Sequence, residues 1–425
     1  MKTRFFIHTT GCKANQYDSS VISADLKKRG LEPASQNEAS LVIINGCTVT
    51  QGAVRDVRRF INRLKRENPS ARIILTGCQA QAYPDNDFGA DTVLGQAEKF
   101  SIGSYIGLDG RFVSPRDTLI IEDMPLDPDL EGKTRFFLKI QDGCDRFCSY
   151  CIVPFARGAP RSRPFEEICR LMEKLADKNI QEVVLTGIEI SAWHDRASGY
   201  GLTDLLRALD DRTTPGRIRL SSVDPLMFDD RFISVAARSP KIAKSFHIPL
   251  QSASDRVLEA MGRPYHAHYI RELLDRLLDK IPDAGVGMDV ITGFPGEDDR
   301  CFEETRDFLD SAGIYYLHVF PFSPRPGTRA AAMDDAVPEK EKKRRVKELK
   351  ALDSVKRDAF HRRFTGSRAV IIPEAKRYFG QYMRGYTTNY IPVHIPYDRL
   401  RENKVTEVMI DGVENGIVAG HAVRD

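Results

Sequence analysis

The chain has 425 residues, too many for one ordinary domain, so two or three are expected. At 41% hydrophobic and 29% charged it has a soluble globular composition, and no segment approaches the ~18 apolar residues needed to span a bilayer. The net charge of +3 excludes a uniformly basic surface, so any nucleic-acid site must come from local clusters. The first residues enter a strand-like segment with no signal-peptide pattern. A cytoplasmic location follows, where cysteines serve more often as metal ligands or catalysts than as disulfides.

Residues 1–133 read as an N-terminal parallel-sheet domain with a trailing linker. Apolar runs at 4–8, 41–45 and 71–75 are short and bounded by glycine, as buried parallel strands are. Helices are expected at 14–29 and 50–67, where Val54, Val57, Ile61 and Leu64 recur at helical spacing. From 106 to 133 the pattern fades into an acidic, proline-punctuated stretch, an interdomain linker. Residues 134–364 carry a second series. Its strands are expected at 136–140, 182–186, 217–221, 245–250, 285–291 and 315–320, with helices between them at 165–175, 204–209, 268–278 and 301–309. Six β/α units make a partial barrel, an α/β architecture whose active site lies at the C-terminal mouth of its strands. A charged helical stretch, 338–364, ends this part; it is either a solvated packing helix or an RNA contact. Residues 365–425 hold short runs at 368–372, 389–395, 404–410 and 416–420, separated by Gly, Pro and Asn. They predict a small antiparallel β-barrel.

Six of the eight cysteines form two triplets of different build. Cys12, Cys47 and Cys78 are far apart, yet each follows a glycine at the end of an apolar run. Parallel sheets place ligands at the carboxyl ends of their strands, so these three can converge. Cys144, Cys148 and Cys151 share one short loop in a C-x3-C-x2-C spacing, directly after the first barrel strand. Three thiolates are one short of closing a four-iron cluster or a structural zinc site, and leave one metal position open. A zinc loop completed by a remote ligand is the alternative for the loop triplet, and packing for the scattered one. Cys169 and Cys301 fall in apolar helix patterns and read as packing residues.

The loop spacing before a β/α barrel resembles the radical S-adenosylmethionine superfamily. There an open iron takes the amino and carboxylate groups of S-adenosylmethionine, and an electron from the cluster cleaves the sulfonium. Tyr150 matches the aromatic position usual in that loop. Further motifs are Gly11-Cys12-Lys13-Ala14-Asn15-Gln16, Cys47-Thr48-Val49-Thr50, Thr76-Gly77-Cys78-Gln79-Ala80-Gln81 and Lys139-Ile140-Gln141-Asp142-Gly143-Cys144. To these add Pro249-Leu250-Gln251-Ser252, Gly293-Phe294-Pro295-Gly296-Glu297 and Ser323-Pro324-Arg325-Pro326-Gly327-Thr328. Through them, nearly the whole chain resembles the methylthiotransferases, which end in an RNA-binding TRAM domain. The resemblance implies two 4Fe-4S clusters and S-adenosylmethionine as radical source and methyl donor. One cluster, on Cys12, Cys47 and Cys78, would present the sulfur. It also implies a tRNA anticodon loop as substrate, a reductant protein such as flavodoxin or ferredoxin, and a sulfur donor. The Gly-Cys-Lys-x-Asn-Gln start is most similar to the branch acting on N6-threonylcarbamoyladenosine at position 37 of tRNA. Isopentenyladenosine and a ribosomal-protein aspartate are the alternatives within the family. An iron-sulfur electron carrier or an RNA-binding protein with structural clusters is the alternative outside it. Gly46, Glu189 and Phe322 depart from the usual Thr, His and Tyr.

At the barrel mouth, Thr186 and Gly187, Ser221 and Ser222, and Gln251 and Ser252 end strands and are expected to touch the cofactor. Asp289, a carboxylate inside an apolar strand, is either cofactor-facing or paired with an arginine. Arg157, Arg161 and Arg163 follow the cluster loop, and their guanidinium forks suit RNA phosphates or the substrate carboxylate. Tyr386, Tyr390 and Arg384 are candidates for stacking on splayed RNA bases.

Overall fold

The computed structural model describes residues 3–121 and 134–423. The acidic part of the expected linker, 122–133, lies outside the described residues. Among the described residues no helix is long and apolar enough to cross a membrane.

Six strands form the N-terminal sheet: β1 (Arg4–Thr9), β2 (Glu32–Pro33), β3 (Leu41–Gly46), β4 (Arg72–Gly77), β5 (Thr92–Leu94) and β6 (Gly110–Phe112). Their order is β2-β1-β3-β4-β5-β6, and every pairing is parallel. The central β3 is buried along its whole length because both faces are covered. Val42 and Ile44 pack on Val57, Phe60, Ile61 and Leu64 of α2 (Gln51–Glu67). Leu41 and Ile43 pack on Ile22 and Leu26 of α1 (Lys13–Lys28). Thr50 caps α2 through its hydroxyl, which accepts from Ala53 N at 3.1 Å. A short α3 (Cys78–Ala82) leaves β4 directly.

The second layer system is an open parallel arc. β7 (Arg135–Lys139), β10 (Glu182–Thr186) and β11 (Arg217–Leu220) pair in parallel, with β10 between the other two. β12 (Ser245–Gln251), β13 (Gly285–Thr292) and β14 (Tyr316–Pro321) form a second parallel trio. Parallel bridges Ile218–Ile242 and Ser222–His247 join the halves. The six expected strands are therefore consecutive in one partial barrel. Between β7 and β10, a short antiparallel ribbon of β8 (Gln141–Asp142) and β9 (Arg161–Ser162) closes the base of the cysteine loop, with α4 (Val153–Arg157) inside it. The outer helices are α5 (Phe165–Asp177), α6 (Leu202–Asp210), α7 (Asp230–Arg238), α8 (Asp255–Met261), α9 (Ala267–Lys280) and α10 (Asp299–Ser311). Strand alternation sends Leu138, Val183, Leu185, Ile218, Phe246 and Met288 into one apolar core with these helices. The opposite set, including Lys139, Glu182, Arg219, His247 and Asp289, lines the inside of the arc.

α11 (Glu339–Arg362) lies along β14. Leu349 is buried in the barrel core, Phe360 stacks on Tyr315 at 4.3 Å, and Asp353 accepts from Leu317 N at 2.7 Å. Its charges pair along the helix, Arg344 with Glu348, Arg357 with Asp353 and Arg362 with Asp358. The packing reading of this helix holds.

The C-terminal strands are β15 (Arg368–Ile371), β16 (Tyr382–Tyr386), β17 (Pro392–Pro396), β18 (Thr406–Glu414) and β19 (Ile417–Ala422), in the order β15-β18-β19-β17-β16. The expectation of a purely antiparallel barrel needs correction. β17 and β19 run parallel, so this is a curled, mixed sheet. β16 is not among the expected strands. Gly385 and two tyrosines break its apolar alternation, yet the sheet needs the glycine: a Cβ there would sit 2.9 Å from the Ile371 side chain.

Candidate active site

Cys12, Cys47 and Cys78 end or follow β1, β3 and β4, adjacent parallel strands, so the topology gathers them at one sheet edge. Gly11 makes this possible. It takes φ +93°, and a Cβ there would lie 2.5 Å from the Cys47 Cβ. All three thiols are free. Burial pushes Cys47 up to about 12, and Cys78 and Cys12 add to the rise. Desolvation of its thiol raises Cys12 too, although the residue as a whole is exposed. Loading a metal must therefore release protons. The surroundings fit an iron-sulfur group. N–H donors already aim at the sulfurs: Val49 N at Cys47, and Arg157 Nε (3.3 Å) and Gln96 Nε2 (3.5 Å) at Cys78. Buried polar atoms without partners flank the thiols, namely Asn45 Oδ1, Thr48 Oγ1 and both polar atoms of the Gln79 amide.

The second triplet sits at the barrel mouth. Its loop is pinned at its base by Cys144 N donating to Gly158 O at 3.0 Å. Phe147 takes a positive φ of 45° to make the turn. Burial pushes Cys144 up to about 11 and Cys151 up to about 12. Arg263 reaches Cys148 Sγ at 3.4 Å and Asp224 at 3.3 Å. Arg146, inside the loop, pairs with Asp224 at 3.1 Å and lies 3.6 Å from Glu189. The unexpected Glu189 thus helps hold the loop. Burial and nearby Asp224 raise its pKa.

The expected cofactor contacts gather around the same mouth. Gln141 accepts from Ile188 N and Glu189 N and donates to Gly143 O, tying the second strand's exit to the cysteine loop. A Cβ on Gly187 would lie 2.8 Å from Gln141 O, so only glycine fits. Thr186 and Ser221 are buried at the ends of β10 and β11. Gln251 takes φ +70° where the β12–β13 register shifts, a strained backbone at the strand exit. Tyr150 packs with Met261, Phe294 and Phe322 beneath the loop. Asp289, expected either to face the cofactor or to pair with an arginine, has among the described residues two histidines beside it and no arginine. His247 Nε2 lies 2.8 Å and His318 Nδ1 3.3 Å from its Oδ1. Burial opposes its charge, but these two imidazoles hold it well below the usual carboxylate range.

A buried ionic seam joins the sheet to the barrel. Asp18 of α1 accepts from Lys99 and Lys139, each at 2.6 Å, and from Arg157 at 2.9 Å. Asp142 accepts from both Arg157 and Lys139 at 3.0 Å. The expectation that Arg157 and Arg163 face substrate is thereby corrected. Both are fully buried. Arg157 is spent on Asp18, Asp142, Asn15 and the Cys78 sulfur. Arg163 bonds Lys139 O, Glu167 and Tyr17. Arg161 is partly exposed and donates to the carbonyls of Arg157 and Ala159. Arg157 thereby brings α4, which follows the Cys151 turn, against Cys78.

The matches to known proteins follow this division. Residues 138–309 fit the radical SAM superfamily, and residues 4–94 the uncharacterized protein family UPF0004. The threonylcarbamoyladenosine tRNA methylthiotransferase MtaB of Bacillus subtilis is 37% identical over 91% of this chain and 89% of its own length. Its namesake in Aquifex aeolicus is 36% identical over 92% and 96%. The chain belongs to the radical SAM methylthiotransferases. A solved radical S-adenosylmethionine methyltransferase, TsrM from Kitasatospora setae, shares the fold. Its TM-score is 0.56 at 19% identity, over 78% of this chain and 77% of that one.

Two features of this methylthiotransferase escape the sequence. The first is the seam, whose signal is polar Asn15, Asp18 and Ser19 on the buried face of α1. The second is where the C-terminal sheet docks. Its 386–391 turn plugs the N-terminal end of the barrel, away from the cysteines. Arg217 donates to Tyr386 O and Val370 O, and Arg219 to Thr387 O and Thr388 O. Tyr386 and Tyr390 stack on each other at 4.6 Å, under Arg135 and Arg219. Arg384 pairs with Glu374. The expected base-stacking surface is therefore a barrel plug.

Proposed function

We propose that this protein inserts a methylthio group at C2 of N6-threonylcarbamoyladenosine at position 37 of tRNA. The observation that supports the reading is a pair of three-cysteine sets, one at the N-terminal sheet edge and one on the loop after the first barrel strand, with Arg157 of α4 reaching the Cys78 sulfur at 3.3 Å. The names of its similar relatives supply the nucleoside. Cys144, Cys148 and Cys151 hold one 4Fe-4S cluster, and Cys12, Cys47 and Cys78 hold the other. When bound, the first supplies the electron that cleaves S-adenosylmethionine and the second presents sulfur. The protein's part is positioning. Arg263, Arg146 and Asp224 fix the loop, and Arg157 offers N–H to the Cys78 sulfur. Thr186, Gly187, Ser221, Gln251 and Tyr150 shape the cofactor's place. The tRNA presents its anticodon loop with the target base turned out of the stack. A flavodoxin- or ferredoxin-like reductant and a sulfur donor complete the reaction, in the cytoplasm.

The test gives the reconstituted enzyme two anticodon stem-loops, one with threonylcarbamoyladenosine and one with isopentenyladenosine, and weighs the product nucleosides. Methylthiolation of the first is expected. Methylthiolation of isopentenyladenosine alone overturns the nucleoside assignment.

A further inference from the structure

Among the described residues six arginines are buried, and five of them meet a carboxylate. Arg157 has Asp18, Arg163 has Glu167, Arg217 and Arg219 share Glu182, and Arg345 has Glu297. Arg325 is the exception. Its Nε donates to Pro324 O at 2.9 Å and its Nη1 to Thr48 O at 3.2 Å, and among the described residues no carboxylate pairs with it. Two carbonyl dipoles hold this guanidinium without neutralising it. A buried charge calls for a counter-ion, so the site suits an anion that arrives from outside.

The same residue lines a cavity of about 500 Å³, well inside the ~300–1,000 Å³ range of ligand sites. Both sides of the junction build it: Val54 and Tyr83 from the N-terminal domain, Arg325 and Pro326 from the loop after β14. Tyr83 ties the two walls, donating its hydroxyl to Pro326 O at 2.9 Å. Asp85 is the one carboxylate among the lining residues. It is exposed and pairs with Arg111 at 3.6 Å. The approach is basic. Arg58 stands one turn along α2 from Val54, Arg55 is the next residue, and both are exposed. A lone guanidinium would suit any small anion. A guanidinium beside an aromatic ring and a proline, reached across a basic helix face, suits a phosphate that carries a base and belongs to a polyanion.

We infer that this cavity holds a nucleotide of the anticodon loop close to the target base, its phosphate on Arg325 and its base against Tyr83 and Pro326. This rests on the tRNA reading above and gives that RNA a second point of attachment. Arg325 bonds the backbone of Thr48, the residue after Cys47, so a nucleotide seated here is a near neighbour of the one offered to that cysteine set.

The experiment measures equilibrium binding of anticodon stem-loops to the reconstituted holoenzyme. One RNA has an ordinary backbone; in the others one loop phosphate at a time is an uncharged methylphosphonate. The wild type should lose about tenfold in affinity at one position near the target nucleotide, the effect of one charge-assisted contact. Arg325→Gln should bind the ordinary RNA about tenfold more weakly and lose nothing further at that position. Arg325→Lys should keep part of the loss, because it carries the charge without the fork. The comparison is a double-mutant cycle, so a variant that merely loosens the junction lowers every affinity alike and leaves that position's loss intact. Equal losses in wild type and Arg325→Gln at every position overturn the site and leave the tRNA reading standing, as does a wild type indifferent to every single replacement. A wild type that binds none of the RNAs overturns the tRNA reading itself. If Arg325→Gln does not fold, Tyr83→Leu is paired instead with stem-loops abasic at one loop nucleotide at a time. The affinity lost at the seated nucleotide should vanish in that variant, and its persistence overturns the site.

Discussion

Removing the Asp18 carboxylate would leave Lys99, Lys139 and Arg157 crowded together in a dry seam, with Asp142 as their one remaining carboxylate. Breaking a buried ion pair from one side costs about 3–5 kcal/mol. Asp18→Ala should therefore lower the melting temperature and speed proteolysis between the N-terminal sheet and the barrel. Burial opposes the charges of Asp18 and Asp142, but the cations around them hold both below the usual carboxylate range. Their contribution is thus full above the unfolded value of about 4 and is lost as pH falls through and below it. A melting series from pH 7 down to 3 should show the wild type losing its advantage over Asp18→Ala. The thiols make a sharper pair of tests. Cys148→Ala should abolish cleavage of S-adenosylmethionine while the other cluster stays. Cys47→Ala should leave cleavage measurable, stop sulfur insertion and lower iron per protein to about half, one cluster of two. Normal methylthio product at full iron content in Cys47→Ala would make the scattered triplet mere packing.

Helix α2 shows at the next scale where RNA can be held. Its apolar residues Val57, Phe60, Ile61 and Leu64 face the sheet. Its other side exposes Arg55, Arg58, Arg59, Arg63, Lys65 and Arg66. Among the described residues only Asp56 and Glu67 answer them, at 3.8 and 3.9 Å from Arg59 and Arg63. Surface pairs that loose contribute little and leave the face basic. The Thr50 cap of this helix follows Cys47 closely in the chain, so phosphates held along the helix would lie beside the site. Replacing Arg55, Arg58 and Arg66 by Ala should weaken tRNA binding and flatten its salt dependence. The slope should fall by up to about 0.7–0.9 for each phosphate no longer neutralised. An unchanged slope would place the RNA elsewhere. The elements themselves are legible in the sequence, because short apolar runs and 3.6-residue stripes are local signals. All six barrel strands and four of the outer helices, α5, α6, α9 and α10, follow from such runs, whereas α7 and α8 are not among the expected helices. Partners supplied by distant segments are not legible. Arg157 reads as a ligand for phosphate or the substrate carboxylate until α1 brings Asp18 to it. Asp289 reads as either cofactor-facing or arginine-paired until β12 and β14 place a histidine on either side.

The N-terminal sheet docks at the end of the barrel that carries the cysteine loop and the C-terminal sheet at the other. The upper junction includes Arg325 donating to Thr48 O at 3.2 Å and Tyr83 OH donating to Pro326 O at 2.9 Å. The lower junction is close-packed as well. Asn389 donates to Asp283 O at 3.0 Å, and a Cβ on Gly285 would lie 2.0 Å from Asn389 O. Tyr315 and Tyr316 of the barrel belong to the same apolar cluster as Ile371, Ile391 and Val393 of the C-terminal sheet. Removing everything from Gly366 onward would therefore do more than delete a candidate RNA-binding module. It would expose that cluster and strip Arg217 and Arg219 of four backbone acceptors, leaving Glu182 to hold two guanidiniums at an open barrel end. Each unmet buried polar group costs about 1–3 kcal/mol, more when charged. The truncated protein should melt well below the full chain, bind a hydrophobic dye and form soluble aggregates, before any change in RNA affinity is read. A gentler probe separates the two roles. Gly285→Ala drives a methyl group into the Asn389 carbonyl and should loosen the plug while leaving every residue of the C-terminal sheet in place. If that variant melts like the wild type, the plug is not structural. If it melts lower and binds tRNA at wild-type affinity, the C-terminal sheet stabilises the barrel and RNA affinity does not depend on how tightly the plug is seated.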